Sequence, residues 1–351
     1  KTAREVFDNL PVRNVASWNT LISGYVKHGL CDEAIECFRR MQLEGLSPDA
    51  ITFICILRAC GNIGCLEIGK KIHEDADRQG LLEKNIVLGT TLVDMYAKCG
   101  MLEEAQEICD KLPIRNAESW TALISGYAHH GLGNEAIDRF RQMRDEGIPP
   151  NSVTFISILK ACSSIGSTLV GEEIHGEIKK LGLLKENLVL GTSLVDMYAK
   201  CGQLNKARKV FDDELPVHDV VAWNSLLTGY VRHGLGQEAL DCFRKMRDHG
   251  LCPDKVTYIC ILKACSSIRS PELGQEIDAE IRKQGLLGKD ITLDTSLVDM
   301  YAKCGMLDKA KELFDKLPKR NVVTWTALIT GYAHYELMDE ALDCFMRMRE
   351  E

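Results

Sequence analysis

Ser17-Trp18-Asn19-Thr20-Leu21-Ile22-Ser23-Gly24-Tyr25 decides the fold, because near-copies return at 119–127 (SWTALISGY), 222–230 (AWNSLLTGY) and 324–332 (TWTALITGY). The four tryptophans of the chain, Trp18, Trp120, Trp223 and Trp325, stand 102, 103 and 102 residues apart inside these phrases. Trp18, Leu21, Ile22 and Tyr25 fall at i, i+3, i+4 and i+7, one face of an α-helix. Self-similarity at a fixed period marks a repeat array, so the architecture is read from its unit. The spacing predicts a helix from about Trp18 to His28 with Gly29 as its stop. A second helix from near Asp32 carries Ala34, Ile35, Phe38 and Met41 on one face before Gly45 and Pro48 end it. Two helices joined by so short a turn form an αα-hairpin.

Outward from this hairpin, a unit of 36 residues follows from Ala50 to Asn85, marked by ITFICILRACGNIG and a second helix around Leu66 to Gln79. A unit of 31 residues, Ile86 to Asn116, carries LVDMYAKCG at 92–100. Together with the 35 residues of 15–49, these lengths account for the tryptophan spacing. The triplet returns at 117–151, 152–187 and 188–219, where one extra residue near Asp213-Glu214 makes the short unit 32 long. It returns again at 220–254, 255–290 and 291–321. Residues 1–14 match the ends of the short units, and a last standard unit, 322–351, stops before its closing loop. The expected content is nine full units with a partial one at each end. Lys1 already lies inside a helical pattern, so the chain reads as an excised or processed piece whose lack of a targeting segment says nothing of location.

No strand pattern of period two appears, which makes the chain all-α. A single hairpin exposes an apolar face on each side that only a stacked neighbour removes from water, and the result is an α-solenoid. Gly24, Gly126, Gly229 and Gly331 sit mid-helix at a cost of about 1 kcal/mol relative to Ala, for which close helix approach is the expected compensation. The tryptophans, Tyr25 and the MYAKCG phrases have aliphatic partners on their own faces, so core packing is preferred over base stacking.

With 45% hydrophobic and 27% charged residues the chain can bury a core. No apolar run approaches the roughly 18 residues of a membrane span. The fifteen cysteines include no CxxC pair, and Cys99, Cys201 and Cys304 recur in one phrase, as small buried thiols of a reduced compartment would. A net charge of −8 argues against a uniformly basic coat while leaving room for a local basic stripe.

The phrases SWNTLISGY followed by DEAIECFRRMQLEGLSPD, the ITFICILRACGNIG block, and LVDMYAKCG with its ending KLPIRN resemble the pentatricopeptide repeat family, specifically its plant organellar subclass of alternating standard, long and short motifs. The resemblance covers essentially the whole chain. The tetratricopeptide alternative, a protein-binding solenoid, needs about 34 residues per unit and a W-x2-L-G-x2-Y core, whereas here Gly24 directly precedes Tyr25. The resemblance implies a right-handed superhelical α-solenoid that binds single-stranded RNA, one nucleotide per unit, read by the unit's fifth and last residues. It also implies chloroplast or mitochondrion as location, C-to-U editing as setting, and organellar editing cofactor proteins as partners of the long units. No cofactor is implied.

Physical reasoning supports such a division. The fifth residue opens the first helix on the expected inner face, and in standard and short units it is small and polar: Asn19, Thr90, Thr121, Thr192, Asn224, Thr295 and Thr326. The closing residues are Asp or Asn. A carboxylate only accepts hydrogen bonds and suits the ring N–H of uracil or guanine; an amide can donate to adenine or cytosine. The family preference of Thr for purines and Asn for pyrimidines completes the reading. Asn19 with Asp49 and Asn224 with Asp254 then select U; Thr90 with Asn116, Thr121 with Asn151 and Thr295 with Asn321 select A; Thr192 with Asp219 selects G. Thr326, without a partner, selects a purine. The long units carry Ile54, Ile156 and Ile259 at the fifth place, close with Asn85, Asn187 and Asp290, and should discriminate weakly. The expected target is 5′-U-n-A-A-n-G-U-n-A-R-3′. The competing account makes the Asp and Asn residues loop turns alone.

Apolar second residues, Ala16, Val87, Val189, Val221 and Val323, would sandwich the base as in family members, but Glu118 departs from that pattern and should repel phosphate. The extra residue of the 32-residue unit leaves Asp219 one place uncertain. Lys27, Lys98, Lys200, Arg232 and Lys303 recur near the end of the first helix as phosphate contacts, with His129 and His334 at the same place. A helix end that favours positive charge is the competing account. Acidic residues such as Asp32, Glu33, Glu36 and Glu44 belong to second helices expected to face outward, which would reconcile RNA binding with the net charge.

His175-Gly176-Glu177 has the H-x-E spacing of zinc deaminases, but no P-C-x-x-C completes the site, and the equivalent places in other long units read His73-Glu74-Asp75 and Asp278-Ala279-Glu280. Cys55 and Cys60, like Cys260 and Cys265, are five apart and share no helix face. No Gly-rich phosphate loop or G-x-S-x-G is present, so no enzyme is expected. The other functional class left open is a protein-binding helical scaffold, and RNA processing is the alternative to editing.

Overall fold

In the computed structural model, which describes residues 3–185 and 187–350, the first helix of the first full hairpin starts three residues before the expected Trp18. The reason is a capping box. Asn14 Oδ1 accepts from the Ser17 N–H at 2.9 Å while Ser17 Oγ accepts from the Asn14 N–H at 3.0 Å, satisfying two otherwise orphaned amides. Lys1, placed by the sequence inside a helical pattern, lies outside the described residues.

After α1 (Ala3–Asp8), each hairpin contributes two helices. The first triplet gives α2 (Val15–Lys27) and α3 (Cys31–Leu43), α4 (Ala50–Ile63) and α5 (Leu66–Arg78), α6 (Ile86–Lys98) and α7 (Leu102–Lys111). The second gives α8 (Ala117–His129) and α9 (Gly133–Asp145), α10 (Ser152–Ile165) and α11 (Thr168–Lys180), α12 (Leu188–Lys200) and α13 (Leu204–Glu214). The third gives α14 (Val220–Arg232) and α15 (Gly236–Asp248), α16 (Lys255–Ile268) and α17 (Pro271–Lys283), α18 (Ile291–Lys303) and α19 (Leu307–Lys316). Last come α20 (Val322–His334) and α21 (Met338–Glu350). The described residues contain no strand, and no helix is long and apolar enough to cross a membrane. The extra residue near Asp213-Glu214 is absorbed by α13, which runs 11 residues against 10 in α7 and α19.

The chain is an all-α solenoid built in two compact bodies, the first ending at Ile178 and the second beginning at Lys179. In the first body α2, α4, α6, α8 and α10 pack on one another in order, while α3, α5, α7 and α9 form a second layer, each seated between its own first helix and the next. The second body repeats this with α12, α14, α16, α18 and α20 in one layer and α13, α15, α17 and α19 behind.

The tryptophans are core, at most 3% exposed. Trp18, Trp223 and Trp325 meet Phe7, Phe211 and Phe314 of the preceding short hairpins edge-on, at 4.5, 4.7 and 4.4 Å between ring centres. A Cβ placed on Gly126, Gly229 or Gly331 would stand 2.6 Å from that of Ala97, Ala199 or Ala302 on the preceding first helix. Close approach thus explains three of the mid-helix glycines. It does not explain Gly24, which faces open space beside an apolar groove lined by Phe7, Leu10, Leu21 and Tyr25. All fifteen cysteines are free. Burial pushes the Cys60 thiol up to about 12. Cys99, Cys201 and Cys304 are half-buried rather than buried, because each caps the C-terminus of a first helix.

Candidate nucleic-acid interface

The residue closing each unit is the N-cap of the next first helix. Asp49, Asn85, Asn116, Asn151, Asn187, Asp219, Asp254, Asp290 and Asn321 each accept the backbone N–H three residues on. Asp219 holds the N-cap place of α14, its Oδ1 2.8 Å from the Ala222 N–H.

At the junction of standard and long units the cap reaches the fifth residue. Asn19 Nδ2 donates to Asp49 Oδ1 at 2.9 Å, the Thr52 N–H donates to the same oxygen at 2.8 Å, and the Thr52 hydroxyl donates to Asn19 Oδ1 at 2.6 Å. The third triplet repeats this with Asn224, Asp254 and Thr257 at 2.9, 2.8 and 2.7 Å. The bonds from the Asn amide and the Thr N–H fall on Oδ1 of an exposed carboxylate, and Oδ2 receives neither. In the second triplet Thr121 and Thr154 share a 2.6 Å hydrogen bond, and the Thr154 hydroxyl donates to Asn151 Oδ1 at 3.1 Å. Thr295, Thr324 and Asn321 form the same relay, with both bonds at 2.8 Å. The long unit's Asp290 is used up instead, since Lys255 takes Oδ2 at 2.7 Å and the Thr292 and Leu293 amides take Oδ1. The ion pair with Lys255 holds its carboxyl below the usual carboxylate range.

The fifth residues Asn19, Thr121, Thr192, Asn224 and Thr295 are only 7–8% exposed, and Asn19, Thr121, Asn224 and Thr295 are hydrogen-bonded to Thr52, Thr154, Thr257 and Thr324 in the N-terminal turn of the next first helix. Thr326, with no hairpin following it among the described residues, is exposed, and its hydroxyl turns back to the Val322 carbonyl at 2.7 Å. Thr90 is half-buried and its Oγ1 is buried with no hydrogen-bond partner among the described residues. Ser119, which occupies the position of Thr52, turns instead to the carbonyl of its own cap. A buried hydroxyl left without a partner costs about 1–3 kcal/mol, so Thr90 can offer its hydroxyl to a hydrogen-bonding group.

Within each body the second places present exposed apolar side chains: Val87 is 55% exposed and Ala16 exposed in the first, and Val189, Val221 and Val323 are 59–63% exposed in the second. Ile51, Val153 and Val256 of the long units, omitted from the sequence reading, occupy the same second place and are 42–58% exposed. Their β-branched side chains at a matching unit position were the available signal. Glu118 and Thr292 interrupt the pattern. Between second, fifth and closing residues lie hollows: one of 630 Å³ in the first body touches Val87, Thr90, Asn116, Glu118 and Thr121, and one of 470 Å³ in the second touches Thr295, Asn321, Val323 and Thr326.

The cations divide. Lys27 and Arg232 are exposed, but Lys98, Lys200 and Lys303 are ion-paired one turn back to Asp94, Asp196 and Asp299 at 2.7, 2.8 and 2.8 Å. His129 and His334 contact Lys160 and Arg269. Acid is also not confined to the second helices, since Asp94, Glu118, Asp196, Asp294 and Asp299 lie on first helices. The short unit's ninth residue, an Asp in each copy, carries most of this departure. Glu177 lies on second helix α11, 3.7 Å from Arg144.

Burial alone would raise the Asp49 carboxyl, but the Thr52 N–H, the Asn19 amide, the Thr52 hydroxyl and the Ile51 N–H outweigh it and hold it below its ordinary 3.8. A depressed carboxylate contributes stability above 3.8 that is lost as pH falls through the folded value. Acid titration followed by circular dichroism is therefore expected to show a weaker loss of stability below pH 3.8 in Asp49→Asn than in the parent. Identical acid limbs would show that the cap network does not bias the carboxylate.

Against known proteins, a profile described as PPR repeat family matches residues 13–62, 115–164 and 218–267, and a PPR repeat profile matches 90–116, 192–213, 295–322 and 323–351, well over half of the chain. The chain belongs to the pentatricopeptide repeat family. Similar pentatricopeptide repeat-containing proteins of Arabidopsis thaliana include a putative one, 36% identical over 99% of this chain and 62% of its own length. A chloroplastic one is 35% identical over 100% and 56%, and a mitochondrial one 35% over 97% and 61%. This chain thus spans little more than half the length of these relatives. In fold it is similar to the pentatricopeptide repeat protein PPR10 crystallised with an 18-nt psaJ RNA element, with a TM-score of 0.79 at 20% identity over 99% of this chain and 52% of that one. The crystal structure of PPR10 from maize gives 0.53 at 19% identity over 99% and 60%.

Proposed function

We propose that this pentatricopeptide repeat array binds single-stranded RNA sequence-selectively, one nucleotide per unit over the divisions 15–49 to 322–351, with target 5′-U-n-A-A-n-G-U-n-A-R-3′. The observation that carries the reading is the cap network. It fixes the fifth residue and one oxygen of the closing carboxylate, leaving Oδ2 of Asp49 and Asp254 outside these bonds beside exposed apolar second-place side chains. A pyrimidine ring lying between neighbouring second-place side chains could then donate its ring N–H to that oxygen. Asn at the closing place supplies a donor instead, and the Thr90 hydroxyl, unpaired among the described residues, offers one more. The long units, with half-buried Ile54, Ile156 and Ile259 and the neutralised Asp290, select weakly.

The similarity to PPR10, whose structure contains RNA, and to relatives named chloroplastic or mitochondrial supports an organellar RNA-binding role. Recognition of an editing site, with editing cofactor proteins on the long units, is the setting we assign. Fluorescence anisotropy at stated salt against this decamer and a scrambled one tests the reading. At least tenfold tighter binding to the decamer is expected; equal affinities would sink the code, and no binding to either would favour a protein-binding scaffold.

A further inference from the structure

The ninth place of the unit alternates in charge through each triplet, on the exposed side of the first helix. It is Ser23 in the first standard unit, Arg58 in the long and Asp94 in the short; in the third triplet it is Thr228, Lys263 and Asp299. Arg58 and Lys263 are exposed, and neither lies in an ion pair among the described residues. Each reaches the reading hollow of the short unit that follows: Arg58 lines the hollow of Val87, Thr90 and Asn116, and Lys263 that of Thr295, Asn321 and Val323. Asp94 and Asp299 line the same walls and pair with Lys98 and Lys303.

Such solvent-exposed pairs are weak, so the lysines are free to leave them. The carboxylates stay behind, however. Four residues of helix rise is about 6 Å, inside the roughly 8 Å screening length at physiological salt, so a phosphate approaching Lys98 or Lys303 meets a couple of no net charge. At Arg58 and Lys263 it meets an unpaired cation. We infer that the long units, which lack a polar fifth residue, hold RNA phosphates through Arg58 and Lys263 for the nucleotide read by the next short unit, while Asp94 and Asp299 cancel the short units' own lysines. Base reading and backbone grip thereby fall on neighbouring units.

The inference rests on the RNA reading above, and its test separates the two. Anisotropy with the decamer at several salt concentrations gives the slope of log affinity against log salt. Releasing two phosphate contacts to a single strand lowers that slope by about 1.4 and affinity at 0.15 M salt by roughly 15-fold, the result expected for Arg58→Gln with Lys263→Gln. Base preference should be unchanged. Asp94→Asn with Asp299→Asn should raise both slope and affinity. The control, Lys70→Gln with Lys245→Gln, removes the same net charge from exposed places on second helices and should shift the slope by less than half as much. An unchanged slope in the Arg58 and Lys263 variant, an equal drop in the control, or no gain in the Asp variant each overturns the inference. Failure of the unsubstituted protein to bind any RNA would instead remove the reading beneath it.

Discussion

Asp254→Asn is expected to change the nucleotide preferred by its unit from U to C and to leave thermal stability almost untouched. Asp254 Oδ1 accepts from the Thr257 N–H at 2.8 Å and from Asn224 Nδ2 at 2.9 Å, and an Asn can keep its carbonyl oxygen there. Asn and Asp are near-equal N-caps, so α16 starts as before. Where the second carboxylate oxygen stood, the amide presents two N–H groups, and an acceptor becomes a donor. A wrong base at one position costs about 1–3 kcal/mol, roughly 5- to 150-fold in affinity. Two decamers differing only at this nucleotide, titrated against parent and variant, should therefore exchange rank while the melting curves superimpose. If U and C bind alike before and after, the closing residues are caps and nothing more.

The largest effect on stability should come from one kind of substitution with opposite signs at matching places. Gly24→Ala is expected to stabilise by about 1 kcal/mol, the helix propensity gained where nothing stands in the way. At Gly229 the new Cβ would lie 2.6 Å from Ala199 Cβ, 3.2 Å from its Cα and 3.1 Å from Leu204 Cδ2. Ala199 has no rotamer to yield, so α14 must move off α12. Overpacking of this kind costs about 1–3 kcal/mol, which outweighs the propensity term. In a stacked array stability is close to a sum of hairpins and their interfaces, so the loss should appear as a lower urea midpoint. A Gly229→Ala protein as stable as the parent would refute helix contact as the reason for the glycine.

The hairpin array was legible because SWNTLISGY carries its own helical spacing and returns in three near-copies. The start of α2 lies three residues before the expected Trp18 because Asn14 caps it, and Asn followed three residues later by Ser17 is a cap signature. Asp94 and Lys98, four apart, were equally readable as a helix pair. Burial of Asn19 and Thr121 was not readable, since it is created by Thr52 and Thr154 of the following hairpin, 33 residues away. The phosphate role given to Lys98, Lys200 and Lys303 from recurrence alone took no account of the carboxylates one turn before them. Sequence periodicity reports which face a residue occupies; what lies against that face depends on the stack.

The closing residue serves the fold and the ligand with the same side chain, and this bears on how such an array can diversify. Aspartate and asparagine codons differ by one nucleotide, and both residues cap a helix almost equally well. A point mutation between them passes through no poorly folded intermediate, so on the proposed code a population can explore new RNA targets unit by unit at constant stability. The fifth residue has less freedom, because its neighbours must be repacked when it changes. Specificity in this scaffold should therefore drift fastest at the helix caps.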